Sequence, residues 1–270
     1  MIKKISDICI LTDVDRTLYT KETGIPNRNI EAIERFKSKG GKFGIATGRA
    51  LESAQIIMDA VKVNFPCVIC NGGAIYDNGK KKYLNQKYLP LSYKKYLKDI
   101  YNKYDYISAA TITEEGSRCL QDGKERFAKF NYPAIPVKYA PEKLPNKVYK
   151  ILFSVPEAEC SDILKDFQSM GLADVHFSSS DLMYIDMLPK DVNKGTEVAE
   201  LSNQLNIPME NIITIGDYYN DIDMLAAVPI SACVEGSPKE LMDICKIHVG
   251  KMEDGAIADL IEYLEENYEE

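Results

Sequence analysis

Two aspartates, Asp13 and Asp15, follow a short apolar run in the segment TDVDRTLY, residues 12–19, and neither has an obvious basic partner alongside. At the end of a strand, residues two apart can reach the same side, about 7 Å from each other. Their repulsion must be offset, and a bound divalent cation would do so. One carboxylate can then attack an electrophile while the other transfers protons. The pair therefore predicts a metal-assisted site.

A calcium-binding loop does not fit the same two aspartates. Counting from Asp13, the sixth residue is Leu18 where such loops have glycine, and the twelfth is Gly24 where they have glutamate. A turn that caps a helix stays open as an alternative on these residues alone.

Two further segments place groups that suit an anion at the start of a helix. IATGR has the Thr47 hydroxyl and the backbone N–H groups around Gly48 ahead of a helix, where they can hold a phosphate oxygen. VNKGTEVAEL has Lys194 at another helix start, where its charge and the helix dipole both favour an anion. Taken alone, the first segment is equally typical of a helix cap. Taken alone, Lys194 is equally typical of a lysine on the solvated surface.

A third acidic segment, ITIGDYYNDIDML, places Asp217 directly after an apolar strand, with Asn220 and Asp221 at the start of the next helix. Acidic residues there can simply complement the helix dipole. All of these segments, however, end strands or begin helices, so we predict that they share one edge of a sheet.

The elements that must position these groups alternate between short apolar strands and amphipathic helices. Strands ICILTD, KFGIAT, PCVIC, IITIGD and ISACV alternate with helices near 27–39, 51–62, 195–205, 221–227 and 257–264, and Asn27 is expected to cap the first helix. Such alternation predicts a Rossmann-like parallel sheet covered on both faces, an α/β fold with its functional residues at the carboxyl ends of the strands.

The middle of the chain has a different pattern. KVYKILFSV, ADVHFSS and LMYIDML predict strands of a second sheet, and tyrosines from Tyr93 to Tyr104 follow helical spacing and predict a packing face rather than a sugar-stacking platform. We therefore assign residues 1–82 and 189–270 to the core and 83–188 to an inserted α+β domain.

Composition excludes several classes of protein. A net charge of −8 over 270 residues argues against nucleic acid as a partner, and no apolar stretch is long enough for a membrane span. Seven cysteines without framework spacing predict a cytoplasmic protein with reduced thiols. We interpret Cys67 and Cys70, at CxxC spacing, as core residues because no other zinc ligands lie nearby. The oligomeric state stays open.

The motifs DVDRT, ATGR, NKG and GDYYND, in this order and with these separations, resemble those of the haloacid dehalogenase-like (HAD) hydrolases. More narrowly, the chain is similar to the Cof-type phosphatases, which carry a large α/β cap between the second and third motifs. NGGAIYD before the cap and EDGAIADLIEYL at the end extend the resemblance over nearly the whole chain. It implies a HAD fold with a cap that selects the substrate and closes over the site.

The resemblance also implies roles for the residues named above. Asp13 would be the nucleophile that forms an aspartyl-phosphate, and Asp15 would protonate the leaving oxygen and then deprotonate water. Mg²⁺ would be held by the Asp13 carboxylate, the Asp15 backbone carbonyl and Asp217, with Asp221 close by. The residues implied to hold the phosphoryl oxygens are Thr47, Gly48, Lys194 and Asn220. The expected reaction is hydrolysis of a small phosphorylated metabolite; a phosphomutase, a phosphotransferase and a non-catalytic binding protein are the alternatives.

Several residues depart from the family pattern. Arg16 stands where most relatives have glycine, and both a substrate contact and an ion pair with a nearby acid are open for it. Tyr218 is bulky for its place in the fourth motif, and Ser237 stands where relatives often have an asparagine near the phosphate. None of these changes removes a catalytic group, but they leave the substrate open.

Overall fold

The computed structural model describes residues 4–120, 134–135 and 144–269. The chain divides into two compact units, one formed by Met1–Asn85 with Asn193–Glu270 and the other by Gln86–Val192. The divisions fall a few residues beyond positions 82 and 188, where the sequence places them. That the second unit serves as a cap stays a prediction.

The secondary structure alternates as the sequence pattern indicates. The strands are β1 (Cys9–Thr12), β2 (Lys42–Ile45), β3 (Cys67–Ile69), β4 (Ala74–Asp77), β5 (Lys82–Gln86), β6 (Ser108–Thr113), β7 (Gly116–Leu120), β8 (Ala134–Ile135), β9 (Lys150–Ser154), β10 (Val175–Asp181), β11 (Tyr184–Pro189), β12 (Ile212–Gly216), β13 (Ile230–Val234) and β14 (Ile247–Val249). The α-helices among the described residues are α1 (Asn27–Ser38), α2 (Leu51–Ala60), α3 (Tyr93–Lys103), α4 (Cys160–Ser169), α5 (Lys194–Leu205), α6 (Ile222–Ala227), α7 (Lys239–Ile244) and α8 (Ala256–Asn267).

The first unit is built on a five-stranded parallel sheet in the order β14-β13-β12-β1-β2. Every residue of β1 and β12 is buried, as expected for parallel strands covered on both faces. The register pairs Thr12 with both Ile45 and Ile215, so the carboxyl ends of β2, β1 and β12 lie side by side. This alignment confirms the predicted α/β fold and gives the candidate residues a common edge.

Helices pack on this sheet through apolar faces. In α5, Val198 and Leu201 join the buried cluster of Cys9 and Leu11 from β1. One detail of α1 differs from expectation, because Asn27 is the first helical residue and not the cap. Pro26 precedes the helix in an extended conformation, and no side chain caps this end. The φ of Pro26, −55°, lies in the range that the proline ring allows, so Pro26 can hold the position before the helix without a side-chain cap.

Strand β3 is only loosely joined to the parallel sheet. It pairs antiparallel with β4 in a separate three-stranded sheet, β3-β4-β5, and a single bridge between Ala46 and Val68 links it to the end of β2. Cys67 and Cys70 are fully buried there, which confirms that they are core residues. Burial raises the pKa of the Cys67 thiol to about 12.

The second unit contains a six-stranded sheet in the order β10-β11-β9-β6-β7-β8. Tyr93, Leu97 and Ile100 of α3 pack in a buried cluster with Phe153 of β9 and Phe167 of α4. The second sheet and the tyrosine-rich packing face are thereby confirmed. Within the described part of the chain, no helix has the length and apolar character needed to cross a membrane.

Candidate active site

Asp13 is fixed at the carboxyl edge of the parallel sheet. It follows β1 directly, and its N–H donates to the Ile215 carbonyl of β12 at 2.8 Å. Its side chain is nearly buried, and Oδ1 accepts a hydrogen bond from the Lys194 Nζ at 2.5 Å. Lys194 is completely buried and donates also to Asp221 Oδ1 at 2.7 Å. One ammonium thus joins two carboxylates that come from different strand ends.

The start of α5 holds Lys194 in this position. Asn193 caps the helix, and its side chain accepts from the Thr196 N–H at 2.8 Å in a reciprocal capping box. The residue after Lys194 is Gly195, and it must be small because a Cβ there would collide with the backbone of Asp223. The glycine of the NKG motif therefore lets α5 approach α6 closely enough for the ammonium to reach both aspartates.

Asp221 organises the loop that follows β12. Its Oδ2 accepts from the backbone N–H groups of Asp217 at 3.0 Å and Tyr218 at 3.2 Å, while Oδ1 accepts from Lys194. The carboxylate folds back over Gly216, where a Cβ would lie 2.5 Å from Asp221 Oδ2. Asp221 thereby ties the loop to the buried lysine.

Asp13, Asp217 and Asp221 form a group that can hold a metal ion. Each offers a carboxylate oxygen, and these oxygens lie within 4.8 Å of one another. A donor set made only of carboxylate oxygens suits a hard divalent cation such as Mg²⁺. The residues therefore fit the Mg²⁺ that the resemblance implies.

The electrostatics of this group show a surplus of buried negative charge. Burial raises the pKa of Asp13 well above its usual range, with Asp221 and Asp217 adding to the rise and Lys194 opposing it. Burial and the charge of Asp221 raise the pKa of Asp217 to about 7. For Lys194, burial lowers the pKa, but the two aspartates outweigh it and the pKa is raised overall. A further cation would offset this surplus.

Asp15 lies apart from that group. Arg49 binds its carboxylate with two hydrogen bonds, from Nε at 3.0 Å and from Nη2 at 2.6 Å, and the guanidinium lies over the Tyr19 ring at 5.0 Å. In the sequence, neither Asp13 nor Asp15 has an obvious basic partner nearby. In the structure, Lys194 pairs with Asp13 and Arg49 pairs with Asp15. The Asp15 carboxylate is not a member of the metal-binding group; the proposed use of its backbone carbonyl stays a prediction.

Asn71 connects the residues expected to hold phosphate. Its N–H donates to the Thr47 carbonyl at 3.0 Å, and its Oδ1 accepts from Asn220 at 3.4 Å. A Cβ at Gly48 would lie 3.0 Å from the same Oδ1. Thr47 Oγ1 accepts from the Arg49 N–H at 3.2 Å. The structure thus brings Thr47, Gly48 and Asn220 together around an asparagine that sequence reasoning missed.

The sequence contains a signal for Asn71, which begins the turn-forming Asn-Gly-Gly of NGGAIYD. In the structure Asn71 has φ 54° and ψ 36°, the left-handed conformation that asparagine tolerates.

Arg16 and Ser237 lie beside Asp217. Arg16 Nε donates to Asp217 Oδ2 at 3.0 Å, and its guanidinium carbon lies 4.6 Å from the centre of the Tyr218 ring. The ion pair expected as one possibility for Arg16 is therefore present. Ser237 is buried and lines, with Arg16 and Asp217, a cavity of about 210 Å³.

A parallel sheet with a cluster of aspartates at its carboxyl edge and an inserted second unit is the architecture that the motif resemblance implies. Residues 10–261 match the family model of the haloacid dehalogenase-like hydrolases, and the chain belongs to that family. The resemblance drawn from the motifs is confirmed, and so is the prediction that the chain is an enzyme of this hydrolase family.

Relatives of the chain include named phosphatases. The chain is 24% identical over 287 residues to the 5-amino-6-(5-phospho-D-ribitylamino)uracil phosphatase YwtE of Bacillus subtilis, covering 95% of this chain and 97% of the relative. It is 24% identical over 271 residues to the pyridoxal phosphate phosphatase YbhA of Escherichia coli, covering 93% and 96%.

Among solved structures, the HAD subclass IIB sugar phosphatase BT4131 matches with a TM-score of 0.80 at 19% identity, covering 95% of this chain and 98% of that one. At this identity the match shows the shared fold.

Proposed function

We propose that the chain is a Mg²⁺-dependent phosphatase that hydrolyses a small phosphorylated metabolite through an aspartyl-phosphate on Asp13. The observation that carries this proposal is the buried arrangement of Asp13, Lys194 and Asp221 beside Asp217 at the sheet edge. Membership in the HAD-like hydrolases and the phosphatase relatives support the same chemistry.

Asp13 acts as the nucleophile. One of its carboxylate oxygens bonds to phosphorus while the bond from phosphorus to the ester oxygen breaks, and the departing alcohol takes a proton from Asp15. Asp15 then takes a proton from the water that attacks the aspartyl-phosphate. This step releases inorganic phosphate and regenerates both carboxylic groups in their starting states.

The remaining residues hold the phosphoryl oxygens and the nucleophile. Lys194 orients Asp13 and faces it with a positive charge, while Thr47, Gly48 and Asn220 offer a hydroxyl, a backbone N–H and an amide. Asp13, Asp217 and Asp221 would hold Mg²⁺, which would neutralise charge on the phosphoryl group. Arg49 positions Asp15 through its two hydrogen bonds.

The substrates in the names of the relatives and of the matched structure support a small phosphorylated metabolite. We propose a sugar phosphate as the first candidate and a phosphorylated cofactor such as pyridoxal phosphate as the next. The core residues contact only the metal ion and the phosphoryl group, and every phosphate ester has that group. Residues 83–188 therefore discriminate among leaving groups. Replacing this segment by that of a relative should change the preferred substrate while Asp13 stays essential.

The test measures phosphate release from a panel of phosphorylated metabolites with Mg²⁺ and with a chelator. We expect release only with Mg²⁺, complete loss in Asp13→Asn with an unchanged circular dichroism spectrum, and phosphorylated protein trapped in Asp15→Asn. Trapping is expected because that variant can still be phosphorylated by an ester with a good leaving group but cannot activate water.

Other results would contradict the proposal in different ways. Conversion of a substrate into its isomer without free phosphate would indicate a phosphomutase. Activity of Asp13→Asn within a few-fold of the wild type would remove Asp13 as the nucleophile.

A further inference from the structure

Arg16 occupies a backbone position that is unfavourable for its residue type. Its φ is 65°, in the left-handed region that normally favours glycine, and its N–H donates to the Tyr19 carbonyl at 2.9 Å. A side chain kept at such a position, against local strain, indicates a role for that side chain.

The Arg16 side chain is held from two directions. Asp217 Oδ2 accepts from Nε at 3.0 Å, and the Tyr218 ring lies under the guanidinium. Tyr218 in turn contacts Tyr219 edge to face, with ring centres 5.1 Å apart. Although the side chain is 42% exposed, its charge is thus directed onto a candidate metal ligand.

Both carboxylate oxygens of Asp217 accept a hydrogen bond from a side chain. Thr17 Oγ1 donates to Oδ1 of this carboxylate at 3.1 Å, while Arg16 takes Oδ2. A cation that coordinates Asp217 through Oδ2 must therefore displace or share the oxygen with the guanidinium.

The balance of charge points the same way. Asp13, Asp217 and Asp221 carry three negative charges when ionised, and Lys194 offsets one of them. With Arg16 in place, a divalent cation meets a net charge of −1 from these groups; without it, the net charge would be −2. The attraction between the cation and these groups is proportional to their net charge, so Arg16 weakens it.

We propose that Arg16 competes with the divalent cation for Asp217 and thereby weakens metal binding at this site. This inference rests on the proposed function, from which it takes the metal ion. Arg16 is a positioning residue that acts through Asp217. It holds the carboxylate in place when no cation is bound and sets the cation concentration at which the site fills.

The experiment measures Mn²⁺ binding directly, from the electron paramagnetic resonance signal of the free ion during titration. Arg16→Gly removes the charge and suits the left-handed backbone, so the fold should be retained. We expect it to bind Mn²⁺ about tenfold more tightly than the wild type, because one nearby positive charge is lost. Arg16→Lys should bind Mn²⁺ less tightly than Arg16→Gly, since it keeps the positive charge.

Two controls separate this effect from general changes in charge. Arg28→Gln removes a positive charge that pairs with Asp259 and Glu262 elsewhere in the same unit, and it should leave Mn²⁺ affinity unchanged. Raising the salt concentration should narrow the difference between Arg16→Gly and the wild type, because the guanidinium is partly exposed.

Equal or weaker Mn²⁺ binding by Arg16→Gly, in a wild type that does bind the ion, would overturn the role of Arg16 and leave the proposed function intact. If the wild type binds no Mn²⁺ at this site, so that Asp217→Ala changes nothing, the metal site itself is wrong and this inference falls with it.

Discussion

Replacing Lys194 by methionine tests whether one buried ammonium holds the site together. The substitution keeps the length of the side chain but leaves Asp13 and Asp221 without the charge that bridges them at 2.5 and 2.7 Å. Removing one partner of a buried ion pair costs about 3–5 kcal/mol of unfolding free energy. At roughly 2–4 °C per kcal/mol for a domain of this size, the unfolding midpoint should fall by about 6–20 °C in chelator.

Metal should partly reverse this loss. Without Lys194, the three carboxylates carry more uncompensated charge, so a divalent cation is expected to bind the folded protein more tightly than it binds the wild type. A ligand at a hundred times its dissociation constant stabilises the folded state by about 2.7 kcal/mol. The stability gap between Lys194→Met and the wild type should therefore narrow when Mg²⁺ replaces the chelator.

Lys150→Met is the matched control. Lys150 Nζ lies 2.7 Å from Asp186 Oδ1, and both side chains are buried within the second unit. We expect a loss of stability of similar size, with no response to Mg²⁺. Scanning calorimetry of the three proteins, each with chelator and with Mg²⁺, provides the comparison.

Two outcomes would refute the reasoning. If Lys194→Met unfolds in chelator within about 1 kcal/mol of the wild type, the buried ammonium is not required to balance the aspartates. If Mg²⁺ stabilises both variants equally, the metal does not act at the carboxylates that Lys194 joins. Turnover of Lys194→Met should also fall by about 10²–10³, the loss typical when one group that stabilises transition-state charge is removed.

Three further predictions concern other parts of the first unit and the thiols. Asp217→Ala should raise the Mg²⁺ concentration for half-maximal activity by about tenfold or more. The control Asp223→Ala, at an exposed residue, should leave that concentration unchanged. Overlapping Mg²⁺ titrations of Asp217→Ala and the wild type would mean that the metal site is misplaced. Arg49→Gln should lower kcat by about tenfold without moving the Mg²⁺ titration, because it frees Asp15 from two hydrogen bonds; an unchanged kcat would show that Asp15 needs no such positioning. All seven cysteines are buried, so a thiol reagent should react slowly with the native protein and with all seven after denaturation; a rapid native reaction would contradict the burial.

Much of the fold and of the site could be predicted because the signals are local. Apolar strands and helical spacing identify the parallel sheet, and the carboxyl ends of its strands must share an edge. Asp13, Asp217 and Lys194 could be placed at this edge because each adjoins an element whose pattern is clear in its own segment.

The pairing of charges could not be predicted, because it depends on contacts between distant segments. Asp13 and Lys194 are 181 positions apart, and Arg16 and Asp217 are 201 apart. No spacing in the sequence shows which carboxylate each cation will reach. The separate pairing of β3 was missed for a similar reason, since an apolar run of three residues is compatible with either a parallel or an antiparallel neighbour.

The order of strands in the parallel sheet also constrains how the protein folds. Strand β1 is placed between β2 and β12, so that Cys9 pairs with Lys42 on one side and with Ile212 on the other. During synthesis from the N-terminus, β1 and β2 emerge long before the strand that completes their sheet, whereas Gln86–Val192 is one continuous segment. Pairing over so large a separation in sequence slows folding. We therefore expect the inserted unit to fold first and the carboxyl edge of the parallel sheet to form last, with the apolar β1 exposed to aggregation in the interval.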